Sequence, residues 1–346
     1  MPQSDEAIRT RRPSGPVLLV ESGHLARGQS HPVPGVDTAI VISGVGQPCI
    51  DWALPGWSGS GAGMSGRNRI GSWRQWLRCA PLLIMAGWVG CEPSPSGQTI
   101  PLGDLPGWHQ VFADDFNSNV GLGSFSGCSD RARRCDGLLG TSEYDKLWAY
   151  PDGWPDTSGN GHYTPSRTIS EHDGVLDLWI HTEGGTHMVS APVPILPGAI
   201  GSEGGLQYGR YVIRFRSDSM HGYKTSWLLW PDSEVWPRDG EINFPEGNLD
   251  GTIRGFVHHQ DGTSPNDQTG FGWNVTYTHW HTAVIEWMPG RVKFILDGAH
   301  QGTSIRVPDT PMHWVIQTES NTDGYSPDPN VQGHVYIDWV AVYTPA

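Results

Sequence analysis

Between residues 174 and 343 the sequence repeats one pattern, short stretches in which apolar and polar residues alternate, each bounded by Gly, Pro, Asn or Asp. GVLDLWI, GRYVIRFRS, TSWLLW, GTIRGFVHH, HTAVIEW, RVKFILDG and HVYIDWVAVY all fit it, and no helical periodicity interrupts them. Period-two alternation rich in β-branched and aromatic residues predicts antiparallel strands, and their regular recurrence predicts an all-β, two-sheet sandwich. In RVKFILDG, Val292, Phe294 and Leu296 face one way. In HVYIDWVAVY, strict alternation puts Val335, Ile337, Trp339 and Ala341 on one face and Tyr336, Asp338, Val340 and Val342 on the other. Both faces are largely apolar, so this strand is expected at the centre of a sheet. Segments 117–167 and 182–205 read as long irregular loops, the expected walls of a binding cleft.

Charge narrows the function. The formal net charge of -14 opposes binding to nucleic acid, which depends on Lys and Arg neutralising phosphates. The 17 tryptophans exceed what one core needs. About half are expected to pack inside, and the remainder suit stacking on the apolar faces of sugars.

The first hundred residues read differently. From Met64 the chain carries Arg67, Arg69, Arg74 and Arg78, then an apolar run from Ala80 to Val89, the layout of an export signal over 64–91. The run is shorter than the roughly 20 residues a membrane span needs. It ends at Gly90–Cys91 before EPSPSG, a layout that resembles a bacterial lipoprotein signal with Cys91 as the lipidated residue. Residues 1–63 are expected to be a doubtful or disordered leader, 92–107 a linker and 108–346 the folded domain. Cys128 and Cys135, seven apart in GCSDRARRC, suggest one small disulfide in an oxidising compartment. The expectation is a secreted or envelope-anchored, monomeric protein.

The chemistry is concentrated in GEINFPEG, residues 240–247. Alternation puts Glu241, Asn243 and Pro245 on one face and sends Glu246 to the other. Pro245 lacks an N–H and marks a place for a bulge, and one extra residue there returns Glu246 to the side of Glu241 and Asn243. Two carboxylates on one side suit retaining glycoside hydrolysis, for which their separation is about 5–5.5 Å.

WPRDGEINFPEG, together with VFADDFN, LQYGRYVIRFR, SWLLWPD, WHTAVIEWMPGRVKFILDG and YIDWVAVY in the same order, resembles glycoside hydrolase family 16 over nearly all of 108–346. That resemblance implies a jelly-roll, concanavalin-like sandwich in which Glu241 is the nucleophile and Glu246 the acid/base. Trp236, and with it Trp230, would line a sugar subsite. His258 looks like a cleft-facing histidine of the family, although either His258 or His259 can face the cleft and alternation allows only one. Gln317 and Glu319 share a strand face and either reach the sugar or hold structure. Glu286 and Trp287 read as scaffold. Asn243 departs from the family, which has Asp at the middle position; its NH₂ can donate to Glu241 and favour the ionised form. Catalysis by two carboxylates needs no cofactor. Many members hold a structural calcium on the face away from the cleft, and Asp115 and Asp338 are its candidates here, set against the reading of two ordinary acidic groups.

The expected activity is retaining endo-hydrolysis of a β-linked polysaccharide, with β-1,3-glucan first and galactan second. A non-catalytic sugar-binding protein and a transglycosylase acting on an envelope polysaccharide are the alternatives.

Overall fold

The computed structural model describes residues 97–124, 146–201, 203–321 and 323–346. The leader, the signal segment, Cys91, Cys128 and Cys135 lie outside the described residues. Among the described residues no helix is long and apolar enough to cross a membrane.

The strands, in chain order, are β1 (Trp108–Asp114), β2 (Leu147–Ala149), β3 (Trp154–Pro155), β4 (Gly161–Tyr163), β5 (Ile169–His172), β6 (Val175–Glu183), β7 (Thr186–Val189), β8 (Pro192–Pro194) and β9 (Gly209–Ser217). They continue as β10 (Tyr223–Pro231), β11 (Glu241–Asn248), β12 (Thr252–His258), β13 (Gln268–Thr276), β14 (His281–Met288), β15 (Arg291–Leu296), β16 (Ala299–Ser304), β17 (Met312–Ser320) and β18 (Gly333–Pro345). One helical turn, α1 (Pro165–Thr168), begins at a proline, whose fixed φ suits the first helical position. The predicted sandwich is present. A large sheet runs β16-β15-β14-β9-β18-β6-β7-β4-β3, with β1 added to β18 and β5 to β6, and a second sheet of five strands runs β13-β12-β11-β10-β17. The segments expected to be irregular carry β2 to β4, β7, β8 and the start of α1, elements of two to four residues that are too short to show a period.

Between the sheets lies the main core, in which Trp227, Trp287, Trp314, Tyr211, Phe215, Phe244 and Phe294 are almost fully buried. Val292, Phe294 and Leu296 point into it as alternation predicts. In β18 strict alternation fails. Its pairing with β9 shifts between Ile337 and Trp339, so Asp338 is an extra residue and the faces exchange beyond it. Val335, Ile337, Val340 and Val342 therefore face the main core, while Trp339, Ala341 and Tyr343 face the other side of the sheet. There they meet Val212, Val284 and Ile100 in a second apolar cluster. Ile100 belongs to the expected linker, whose described part is packed: Trp339 Nε1 donates to the Gln98 carbonyl at 3.1 Å, and Gln110 Nε2 to the Pro101 carbonyl at 2.8 Å.

Candidate active site

The outward face of the five-stranded sheet is set by register. Ser226 of β10 lies opposite Glu246 and Leu228 opposite Asn243. On the other side of β11, Asn243 pairs with Phe256 and Glu246 with Arg254. From one pair to the next β11 advances three residues and β12 two, which places one extra residue at Phe244–Pro245. Proline fits this position because it has no N–H to offer a ladder. Phe244 turns into the core, with its ring 4.8 Å from Phe294 and 5.3 Å from Trp273. Glu241, Asn243 and Glu246 are thereby left on the same outward face.

The strand is guided at both ends by glycine. Gly240 has φ +70°, and a Cβ there would stand 2.7 Å from the His258 carbonyl oxygen; at Gly247 it would stand 2.6 Å from that of Thr252. Neither position admits a side chain without displacing backbone.

Asn243 Nδ2 donates to Glu246 Oε2 at 2.9 Å, and Lys224 Nζ donates to Glu246 Oε1 at 3.0 Å. Glu241 is 5% exposed. Burial, and then the charge of Glu246, push its carboxyl up to about 8, against the opposing pull of the Asn243 amide, the Lys224 charge and Trp236. His258 is the cross-strand partner of Glu241, with Nε2 3.8 Å from Oε2, and burial holds its imidazole below its ordinary range. Trp236 packs edge-on against His258 at 5.6 Å and nearly parallel to Trp230 at 6.3 Å. The buried Nε1 of Trp236, Nδ1 of His258 and Oδ1 of Asn243 have no full hydrogen bond within the protein.

The structure thus brings Glu241, Asn243, Glu246, Trp230, Trp236 and His258 together. The Asn243 bond of standard geometry goes to Glu246, where the sequence pointed to Glu241. His259 turns away and bonds Thr269 Oγ1 through Nε2 at 2.9 Å, because consecutive strand residues face opposite sides. Gln317 and Glu319 face outward opposite Ser226 and Lys224, but both are buried. Tyr163 Oη donates to Gln317 at 3.3 Å and to Glu319 at 3.2 Å, and Thr157 also bonds Glu319. They fasten the 156–163 segment to the sheet. Asp115 is exposed and accepts from Asn117 Nδ2 at 2.7 Å, while Asp338 is buried 3.6 Å from Arg214 Nε. Both carboxylates already have partners, and among the described residues no group of three or more His, Cys, Asp or Glu is set to hold a metal.

Sequence reasoning missed Lys224 and Tyr150. Lys224 stands in YKTSWLLW at alternating positions with Ser226, Leu228 and Trp230, the cleft face, so alternation alone was enough to place it. Tyr150 packs among Trp148, Trp154 and Tyr163; burial, and then the charges of Glu234, Glu319, Glu203 and Glu241, raise its pKa. It follows directly on β2, whose three residues carry no periodic signal.

The sequence description of glycosyl hydrolases family 16 matches residues 162–341, just over half of the chain. Among solved structures, a laminarinase from Rhodothermus marinus is similar with a TM-score of 0.52 and 23% identity, covering 70% of this chain and 99% of that one. A laminarinase catalytic domain from Thermotoga maritima is similar with a TM-score of 0.52 and 18% identity, covering 70% and 100%. A structure described with endo-acting O-glycanases of the human gut microbiota has a TM-score of 0.54 and 19% identity, covering 71% and 94%. At these identities the likeness speaks for the fold. No curated protein matches the sequence.

Proposed function

The chain belongs to glycosyl hydrolases family 16, and from that premise we propose that it is a retaining endo-glycosidase of β-linked polysaccharide, with β-1,3-glucan as its first substrate. Glu241 attacks the anomeric carbon while Glu246 gives a proton to the leaving glycosidic oxygen. Glu246 then takes a proton from the water that releases the glycosyl-enzyme, and the configuration is retained. Trp236 and Trp230 hold a sugar ring beside the nucleophile. The observation that carries this reading is the bulge at Phe244–Pro245, which puts both glutamates on the same outward face of the sheet. The choice of β-1,3-glucan rests on the bulged signature and on the laminarinase descriptions borne by several fold neighbours.

The test is a panel of β-glucans and galactans with reducing-end detection, product sizing and NMR of the first-formed anomer. Hydrolysis of β-1,3-glucan with β-anomer products is expected, and Glu241→Gln should lose roughly 10⁴-fold in turnover while still binding oligosaccharide. A panel with no turnover by the native chain, and turnover by Asn243→Asp, would make it a sugar-binding protein. One observation favours that second reading: both oxygens of Glu246 are already taken by donors within the protein, Lys224 and Asn243. We also propose export, with lipidation at Cys91; intact mass of the natural protein tests it, and a species retaining residues 1–63 would contradict it.

A further inference from the structure

Lys224 is a largely covered lysine on the outward face of the five-stranded sheet. Its side chain is 13% exposed and bonds Glu246 Oε1 at 3.0 Å, with Glu246 itself 16% exposed. Its cross-strand neighbour on β17 is Glu319, and Glu241 of β11 is close enough to act on its charge. On the far side of Glu246, its partner on β12 is the exposed Arg254. Behind Glu319 stand Thr157 and Tyr163, and Asp156 lies near enough for its charge to be felt. The two oxygens of Glu246 thus each accept a donor, one from Lys224 and one from Asn243.

The acid step requires a proton on that carboxyl. Glu246 must hold a proton, and Glu241 must be free of one when it attacks. We propose that Lys224 is a positioning residue for the proton that the two glutamates share: while it bonds Glu246 the proton stays on Glu241, and its release toward Glu319 lets the proton pass to Glu246. In the productive form Lys224 is paired with Glu319, Glu241 is ionised and Glu246 is protonated. The Glu241–anomeric carbon bond then forms as the glycosidic C–O bond breaks and its oxygen takes the proton from Glu246. Glu319 suits the second position because it is buried on the adjacent strand, directly across from the lysine.

This inference rests on the roles proposed above for Glu241 and Glu246, but its test does not need turnover. Full-length protein labelled with ¹³C at glutamate carboxyls is titrated by NMR, with Glu246 assigned from its missing signal in Glu246→Gln. Lys224→Met should move the Glu246 midpoint up by about one pH unit, and Lys224→Arg should leave it near the native value. Glu319→Gln, which removes the second partner, should move it down. Lys224→Gln runs in parallel, so that a folding defect in one variant leaves the other. The same displacement is expected in the acid limb of kcat/KM, a change that loss of packing alone would not produce. A Glu246 midpoint unchanged within about 0.2 pH units in the neutral variants would overturn the role of Lys224, whether or not the protein cleaves glucan. Absence of cleavage with the midpoint displaced would instead count against the enzymatic reading alone.

Discussion

Asn243 brings its two neighbours a donor where a third carboxylate would bring charge. Asn243→Asp puts a third acid between Glu241 and Glu246, so their last proton is held to higher pH. With Glu241 pushed up to about 8, the alkaline limb of kcat/KM is expected near that value in the native chain, and farther up in Asn243→Asp; a limb below pH 6 would contradict the assignment. Glu241 also bears on stability. Its folded pKa lies above the usual carboxylate value, so between about 4.5 and 8 the unfolded chain has released a proton that the folded one retains, and stability falls as pH rises. Glu241→Gln should therefore melt higher than the native protein at pH 8, with the gap closing toward pH 4.5, as calorimetry across that range can check. Glu241 and Glu246 were legible because a proline lay between them, and His258 was one of two choices that only the register decided. Lys224 was missed although alternation was enough to place it, since a lone lysine in an apolar strand gives no hint of purpose until its partners are known.

At the scale of elements, two bulges with the same effect differed in how visible they were. In β11 the extra residue coincides with Pro245, which cannot pair and so announces the break. In β18 it falls at Asp338, among residues that all favour strands, and the exchange of faces beyond it left no mark in the sequence. The short strands flanking α1 were illegible for another reason: they are held by partners far away in the chain, as β4 is by β7 in parallel, and two to four residues cannot show a period. Gly240 tests how firmly β11 is aimed. Gly240→Ala should cost about 1–3 kcal/mol in urea unfolding, from strain at positive φ and the approach to the His258 carbonyl. It should also lower kcat more than KM rises, because Glu241 is the next residue. Full activity with unchanged stability would show that the turn tolerates a side chain.

For the molecule as a whole, the apolar surface is divided between a large core and a smaller cluster on the outer side of the large sheet, closed by residues 98–101. The sandwich was legible from its alternation, but this strap was not, since its only apolar anchor is Ile100 beside polar and Gly/Pro residues. Compared with a chain beginning at Gly97, one beginning at Asp104 loses the burial of Ile100, worth about 2 kcal/mol, and should melt roughly 4–8 °C lower. The strap also fixes where the polypeptide enters the sandwich: against the outer side of the large sheet, with both sheets between it and Glu241. Coupled to a bead through a tag placed ahead of Gly97, the domain should thus retain its access to insoluble polymer fibres, and the support would need no long spacer.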